Sequence, residues 1–235
     1  MGAKSLEWGI RLTILGLLMA ALTIWLGFTW APPVNPDGWA APEAYRILFW
    51  HVPTAWGSFL AFTLLFVGSV AWFWKRLEWG WKLHVVGAHL GLVYGLCVVL
   101  SGPIWGTAEW GVPWDITDMR LNTYAMLAAL SVFLVLGHES QGDSEESRDL
   151  FSTVGLFGFA LVPITIVAIK FWTKRHPPPI LTGSEGPSLS PEILYVLLFG
   201  MISFQILVVG HAMLVWNVNE LEQRLGKVQM ELDQR

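Results

Sequence analysis

Six long apolar runs constrain this chain more than any other feature. They lie at roughly residues 8–30, 47–74, 83–104, 121–137, 150–172 and 191–216. Each approaches or exceeds the ~17–25 residues that a helix needs to cross a ~30 Å hydrocarbon core. Lipid offers peptide groups no hydrogen-bond partner, so runs of this length are predicted to pair their backbone internally as helices. Composition agrees: 54% of the residues are hydrophobic and 14% charged, against about 25% charged in an average soluble domain, and the mean hydropathy is +0.53. The expected fold class is an all-α integral membrane protein with six transmembrane helices. It comprises a membrane domain over residues 1–216 and an amphipathic helical tail over 217–235. The first run is too long for the apolar core of a cleavable signal, and no small-residue cleavage site follows it, so it is expected to be retained as a span.

Basic residues set the expected orientation, because short inner loops collect Lys and Arg. With the N-terminus inside, nine of the fourteen Lys and Arg residues fall on inner segments and five on outer ones. Both termini are therefore expected in the cytoplasm. The outer face then carries residues 31–46, 105–120 and 173–190, and the inner loops are short. Pro163 sits inside the fifth run and is expected to kink it or leave a carbonyl unpaired. In the tail, Leu221, Leu225, Val228 and Leu232 recur at spacings of 4, 3 and 4, about two heptads. Two heptads are too short to stand alone. The tail either leans on this chain's own inner face or docks a neighbouring subunit.

Several chemistries are not encoded. The only cysteine, Cys97, lies inside the third run, and no C-x-x-C-H is present for covalent haem attachment. There is no Walker A pattern, no G-x-S-x-G and no H-E-x-x-H. Neither ATP hydrolysis nor hydrolase chemistry is expected, and nothing points to nucleic acid.

The connection "WGTAEWGVPWD", residues 105–115, is the segment that most needs explaining. Most of the fifteen tryptophans suit the aromatic belts at the two membrane interfaces. Trp8, Trp72, Trp74, Trp79, Trp81 and Trp216 fall near the inner boundary, and Trp25, Trp30, Trp50, Trp56 and Trp172 near the outer one. Trp105, Trp110 and Trp114 instead lie in a loop, beside Asp115 and Asp118. Gly106, Gly111 and Pro113 argue against a regular helix there, so a flat, turn-rich segment on the outer surface is expected. Such a segment offers aromatic surface to a flat apolar ligand or a partner, or else sinks into the headgroups.

Two of the six histidines fall at matching depth. His51, in "FWHVPTAW", lies at the outer end of the second span, and His176 lies just past the outer end of the fifth. Imidazole is a standard axial ligand of haem iron, and outer cations can pair with haem carboxylates. Arg46, Arg120, Lys174 and Arg175 are the available cations, and Arg46, Arg120 and Arg175 are the candidates for this role. His84 and His138 are expected at the inner boundary, solvated or paired with acids. His89 and His211 lie within spans, where an ionisable group is a functional hypothesis by default.

The segment "WGTAEWGVPWDITDMRLNT" resembles the tryptophan-rich "WWD" signature of haem-handling membrane proteins in cytochrome c maturation. With six spans and two outer histidines, the chain is similar to the CcmC family over about residues 10–216. "HVPTAW" resembles the family's first histidine segment and "FWTKRH" its second. The family's motif ends in a Trp-Asp pair followed closely by Arg; its aspartate is represented either by Asp115, joined directly to Trp114, or by Asp118, in an Asp-x-Arg unit with Arg120. The resemblance implies a haem chaperone rather than an enzyme, in a bacterial inner membrane. It would hold haem b non-covalently and transiently at the periplasmic face between His51 and His176, with the tryptophan loop against the macrocycle. It would then present the haem to the carrier CcmE, alongside the ATPase CcmA and the membrane subunits CcmB and CcmD. Two other readings remain: a b-type electron carrier with haem on His89 and His211, and a haem-free permease subunit of an ABC transporter.

Overall fold

The computed structural model describes residues 3–35, 37, 40–141, 143–171 and 189–233. Its helices are α1 (Ala3–Thr29), α2 (Leu48–Lys75), α3 (Glu78–Trp110), α4 (Met119–Gln141), α5 (Glu145–Gly158), α6 (Leu161–Phe171) and α7 (Pro191–Asp233). A 3-10 helix, Pro42–Ile47, leads directly into α2. There is no strand among the described residues. Six helical segments are long and apolar enough to cross a membrane, so the six-span reading holds. An even number of crossings puts the start of α1 and the end of α7 on one face, here the terminal face. The α3–α4 connection lies on the opposite, tryptophan face.

The fifth span breaks where the sequence warned. Pro163 has no N–H for the carbonyl of Phe159. The chain steps out of helical register at Phe159 and Ala160, and the N–H of Val162 takes the Phe159 carbonyl at 3.0 Å instead. The carbonyl that Pro163 cannot serve is therefore taken up locally.

Helices in lipid associate by close packing, and small residues permit it. Along the antiparallel α1–α7 pair, a Cβ at Gly16 would lie 2.8 Å from the backbone of Leu207, and one at Gly210 would lie 2.6 Å from the amide of Thr13. Thr23 and Ser203 face each other across the same seam, 3.4 Å apart. The α2–α3 hairpin turns at Arg76, whose φ of 53° is left-handed. A Cβ at Gly80 would lie 2.6 Å from that of Ala71. α4 and α5 pack on this hairpin around a core of Phe62, Leu65, Leu127, Leu134 and Phe151.

Two expectations about the terminal face are corrected. Trp72 and Trp81 are 4% and 5% exposed rather than belt anchors; the Arg148 guanidinium covers them at 4.8 and 5.4 Å from the ring centroids. His84 is fully buried, not solvated. Trp8, Trp25, Trp30, Trp56, Trp74 and Trp79 are exposed, as belt residues should be. Leu221, Leu225, Val228 and Leu232 are also exposed, so the tail's apolar stripe is not covered by the membrane domain. Among the described residues its first turn is tied down by Asn217 to Ser5 at 3.2 Å and Lys82 to Glu220 at 3.0 Å.

Two glycine substitutions should act in opposite directions. Gly16→Val overpacks the α1–α7 seam and is expected to destabilise by about 1–3 kcal/mol. Gly226→Ala, with nothing within 4 Å, removes only the helix cost of glycine and is expected to raise tail stability by about 1 kcal/mol. Thermal unfolding of the detergent-solubilised protein checks the first, and helix content on heating checks the second.

Candidate functional site

On the tryptophan face, α3 runs on as helix through Trp110 and is closed by Gly111. That residue sits at φ 72°, its N–H bonded to the Thr107 carbonyl at 3.1 Å. This left-handed cap is the usual helix stop and favours glycine. The expectation of an irregular segment from residue 105 is therefore corrected: Trp105 and Trp110 are helical, and the turn-rich stretch begins at Gly111. The physical reason lies in Gly106. A Cβ there would stand 2.9 Å from the Val112 carbonyl oxygen, so glycine at this position lets the chain fold back over the last turn of α3. That close return offsets glycine's poor helix propensity.

The aromatic groups are set at different depths. Trp105 is 5% exposed and tilts against Trp110, with ring centroids 5.2 Å apart. Trp114 is half-buried and donates its Nε1–H to Asn122 Oδ1 at 3.2 Å. Ile104 and Ile116 are strongly exposed on the same face.

The two aspartates do different work. Asp115 closes a turn, accepting from the Thr117 amide at 3.0 Å and its hydroxyl at 2.6 Å. Asp118 is buried and accepts at Oδ1 from the Arg120 amide and Nε, while its Oδ2 takes Arg120 Nη2. It therefore caps α4 and holds Arg120 as a bidentate pair. The Nη1 of Arg120 is buried with no hydrogen-bond partner among the described residues.

His51 stands on the first turn of α2 and Ser101 on α3, with Nδ1 and Oγ 2.8 Å apart. The Ser101 hydroxyl donates to the Cys97 carbonyl at 2.7 Å. Its oxygen therefore accepts from His51 Nδ1–H, which selects the tautomer whose Nε2 is unprotonated. That is the form in which Nε2 ligates a metal. Gly102 lies beneath the ring; a Cβ there would be 3.7 Å from His51 Cε1.

Arg46 packs over Phe28 and Tyr45, with Nε on Glu43 at 2.7 Å and Nη1 on the Gly27 carbonyl. Glu109 was not singled out from sequence. Its carboxylate accepts the amides of Ala40 and Ala41 at 3.1 and 2.9 Å, fastening the segment after α1 to the end of α3. Ser101 was missed as well, since no local pattern links it to a histidine fifty residues away. His176, Lys174 and Arg175 lie outside the described residues.

A family model described as heme exporter protein C, CcmC, matches residues 3–231. The chain belongs to the CcmC family. Among its relatives, heme exporter protein C of Bradyrhizobium diazoefficiens is 26% identical over 222 residues, covering 92% of this chain and 82% of the relative. Heme exporter protein C of Paracoccus denitrificans is 25% identical over 189 residues, 80% and 77% of the two chains. A ccmC-like mitochondrial protein of cytochrome c biosynthesis from Marchantia polymorpha is 27% identical over 191 residues, 77% and 80% of the two.

Asp118→Ala removes a helix cap and leaves a buried guanidinium unpaired, so it is expected to destabilise by about 3–5 kcal/mol. Asp118→Asn keeps an acceptor for the cap and should lose less. Thermal unfolding of both variants beside the parent orders the three.

Proposed function

We propose that the chain holds haem at its tryptophan face, with His51 and His176 as axial ligands, and presents it to a separate carrier. Family membership carries the coarser statement, a membrane component of haem export in cytochrome c maturation. The observation that supports the finer reading best is the Ser101–His51 pair. A histidine held by Nδ1 against a hydroxyl that is itself committed to a carbonyl presents a ligand nitrogen of fixed orientation.

The surrounding residues fit the same cargo. Trp105 and Trp110 form a tilted aromatic wall at the end of α3, and exposed Ile104 and Ile116 extend the apolar surface. The unpartnered Nη1 of Arg120 suits a haem carboxylate, and Arg175 is a second cation for the same role. Arg46 spends Nε and Nη1 on protein acceptors, so its contribution is chiefly to fix the junction of α1 with the 3-10 helix. On this reading the face is the periplasmic one, and the orientation follows from the nine-to-five distribution of basic residues. The carrier is CcmE, and the ATPase CcmA with CcmB and CcmD completes the complex. The chain itself performs no covalent step.

The test is haem binding by the purified chain beside four variants. His51→Ala is expected to change or abolish the low-spin haem spectrum. Ser101→Ala is expected to weaken binding about 10–100-fold, the usual effect of removing the group that orients a metal-binding histidine, and Ser101→Thr, which restores the hydroxyl, to recover it. A haem spectrum unaltered in His51→Ala and in His176→Ala would defeat the proposal.

A further inference from the structure

One face of α3 is left uncovered by the rest of the bundle. Val85, His89, Val93, Leu96, Leu100 and Ile104 follow one another at spacings of 4, 4, 3, 4 and 4, which puts them on one side of the helix. Val93, Leu96, Leu100 and Ile104 are exposed. From Val85 to Ile104 the stripe rises about 28 Å, close to the ~30 Å of the hydrocarbon core. α4 and α7 flank it. A Cβ at Gly91 would lie 2.6 Å from Ser131 Oγ on α4, and the Tyr94 hydroxyl lies 2.9 Å from His211 Nδ1 on α7. At the terminal face the three helices part around an open cavity of about 490 Å³, whose lining includes Val85, His89, Glu139, Val215 and Glu222.

Acyl chains alone would satisfy an apolar stripe, since lipid tails are as apolar as leucine. They cannot satisfy its terminal end, where the groups are acceptors. His89 donates Nδ1–H to the Val85 carbonyl at 2.9 Å, so in its neutral form Nε2 holds a lone pair. Lys82 pairs with Glu220 at 3.0 Å. Asp143 pairs with Arg148 at 2.6 Å, which holds its carboxyl below the usual carboxylate range. Glu139 and Glu222 are exposed and form no ion pair among the described residues. Their negative charge is left uncompensated at the mouth of the groove.

That charge selects the occupant. An anionic lipid is repelled, and a zwitterionic headgroup brings as much negative charge as positive. A lysine or arginine side chain brings positive charge and N–H donors with no acceptor of its own. Such residues collect at the inner ends of membrane helices, and ionisable groups at membrane depth pair with one another.

We propose that the groove along α3, between α4 and α7, seats a membrane-spanning helix of another subunit, whose Lys or Arg at the terminal-face end pairs with Glu139 and Glu222 and donates to His89 Nε2. The apolar part of that helix runs over Val93, Leu96 and Leu100. The proposal rests on the reading of the terminal face as the inner one and not on the identity of the cargo.

The experiment puts the photoreactive residue p-benzoylphenylalanine in place of Leu96 in the full chain in its native membrane. Leu18, exposed on α1, is the control position. Irradiation is expected to give a protein adduct from the Leu96 position and only lipid adducts from the Leu18 position. Mass spectrometry identifies the adduct, and its helix is expected to carry Lys or Arg at the end nearest Glu139. Glu139→Lys together with Glu222→Lys is expected to lower the yield about tenfold or more, the scale set by opposing like charges across an interface. Reversing the partner's cation to Glu is expected to restore it. Thermal unfolding and hemin titration of the charge-reversed chain are expected to match the parent. Lipid adducts alone at Leu96 overturn the proposal, as does a protein adduct that the Leu18 position gives equally or that survives the charge reversal. An adduct with a second copy of this chain overturns a partner subunit as the occupant. A partner helix whose basic end lies at the tryptophan face overturns the pairing. If the parent takes no hemin yet forms the charge-dependent adduct, the haem reading falls and the groove stands.

Discussion

Everything else in this structure depends on how closely α2 and α3 approach. Burying apolar side chains between helices gains little in lipid, because the acyl chains are equally apolar, so contact must come from backbone proximity and internal polar bonds. A Cβ at Gly68 would lie 2.6 Å from the Gly80 carbonyl and 2.8 Å from the Cα of His84, and one at Gly87 would lie 2.3 Å from the amide of Leu65. This tight seam places Ser69 against His84 at one end of the pair. At the other end it places His51 against Ser101. Both histidine tautomers are therefore set by packing decided several turns away.

α3 also acts as the ruler between the two faces. Its 33 residues span about 50 Å at 1.5 Å per residue, more than the ~30 Å hydrocarbon core. The surplus carries Trp105 and Trp110 outward on a rigid element rather than on a loop. Ser101 lies twelve residues beyond His89, about 18 Å along the axis. A displacement of α3 against its neighbours would thus be felt by both histidine sites at once.

Much of the fold was legible because lipid makes the rules strict. Six apolar runs, the break near Pro163 and the shared side of the two termini all follow from length, hydropathy and the chemistry of proline. The tryptophan segment was harder. Gly106 and Gly111 look alike as helix breakers, yet only Gly111 ends the helix; Gly106 stays helical because the returning chain needs its missing side chain. Pairings across helices were not legible at all. Ser101 with His51 and His84 with His138 join residues fifty or more positions apart, and nothing in the local pattern of either partner announces the other. The same holds for Trp72 and Trp81, whose belt-like positions gave no hint that Arg148 covers them.

The distribution of unsatisfied polar atoms then separates packing from function. Buried hydroxyls without a partner, such as Thr13 and Ser152, are scattered along the spans, where a serine or threonine can turn back to its own helix at little cost. Guanidinium, imidazole, indole and amide groups have no such refuge, and an unsatisfied one costs about 1–3 kcal/mol. Arg120 Nη1 lies beside the tryptophan segment, while His138 Nδ1, Trp216 Nε1 and Asn219 Nδ2 gather where α3, α4 and α7 meet on the terminal face. Groups that cannot satisfy themselves are thus concentrated at two places on opposite faces of one bundle. A chain that only needed to pack would have little reason to keep them there, since an apolar side chain in the same place would leave no polar group unsatisfied.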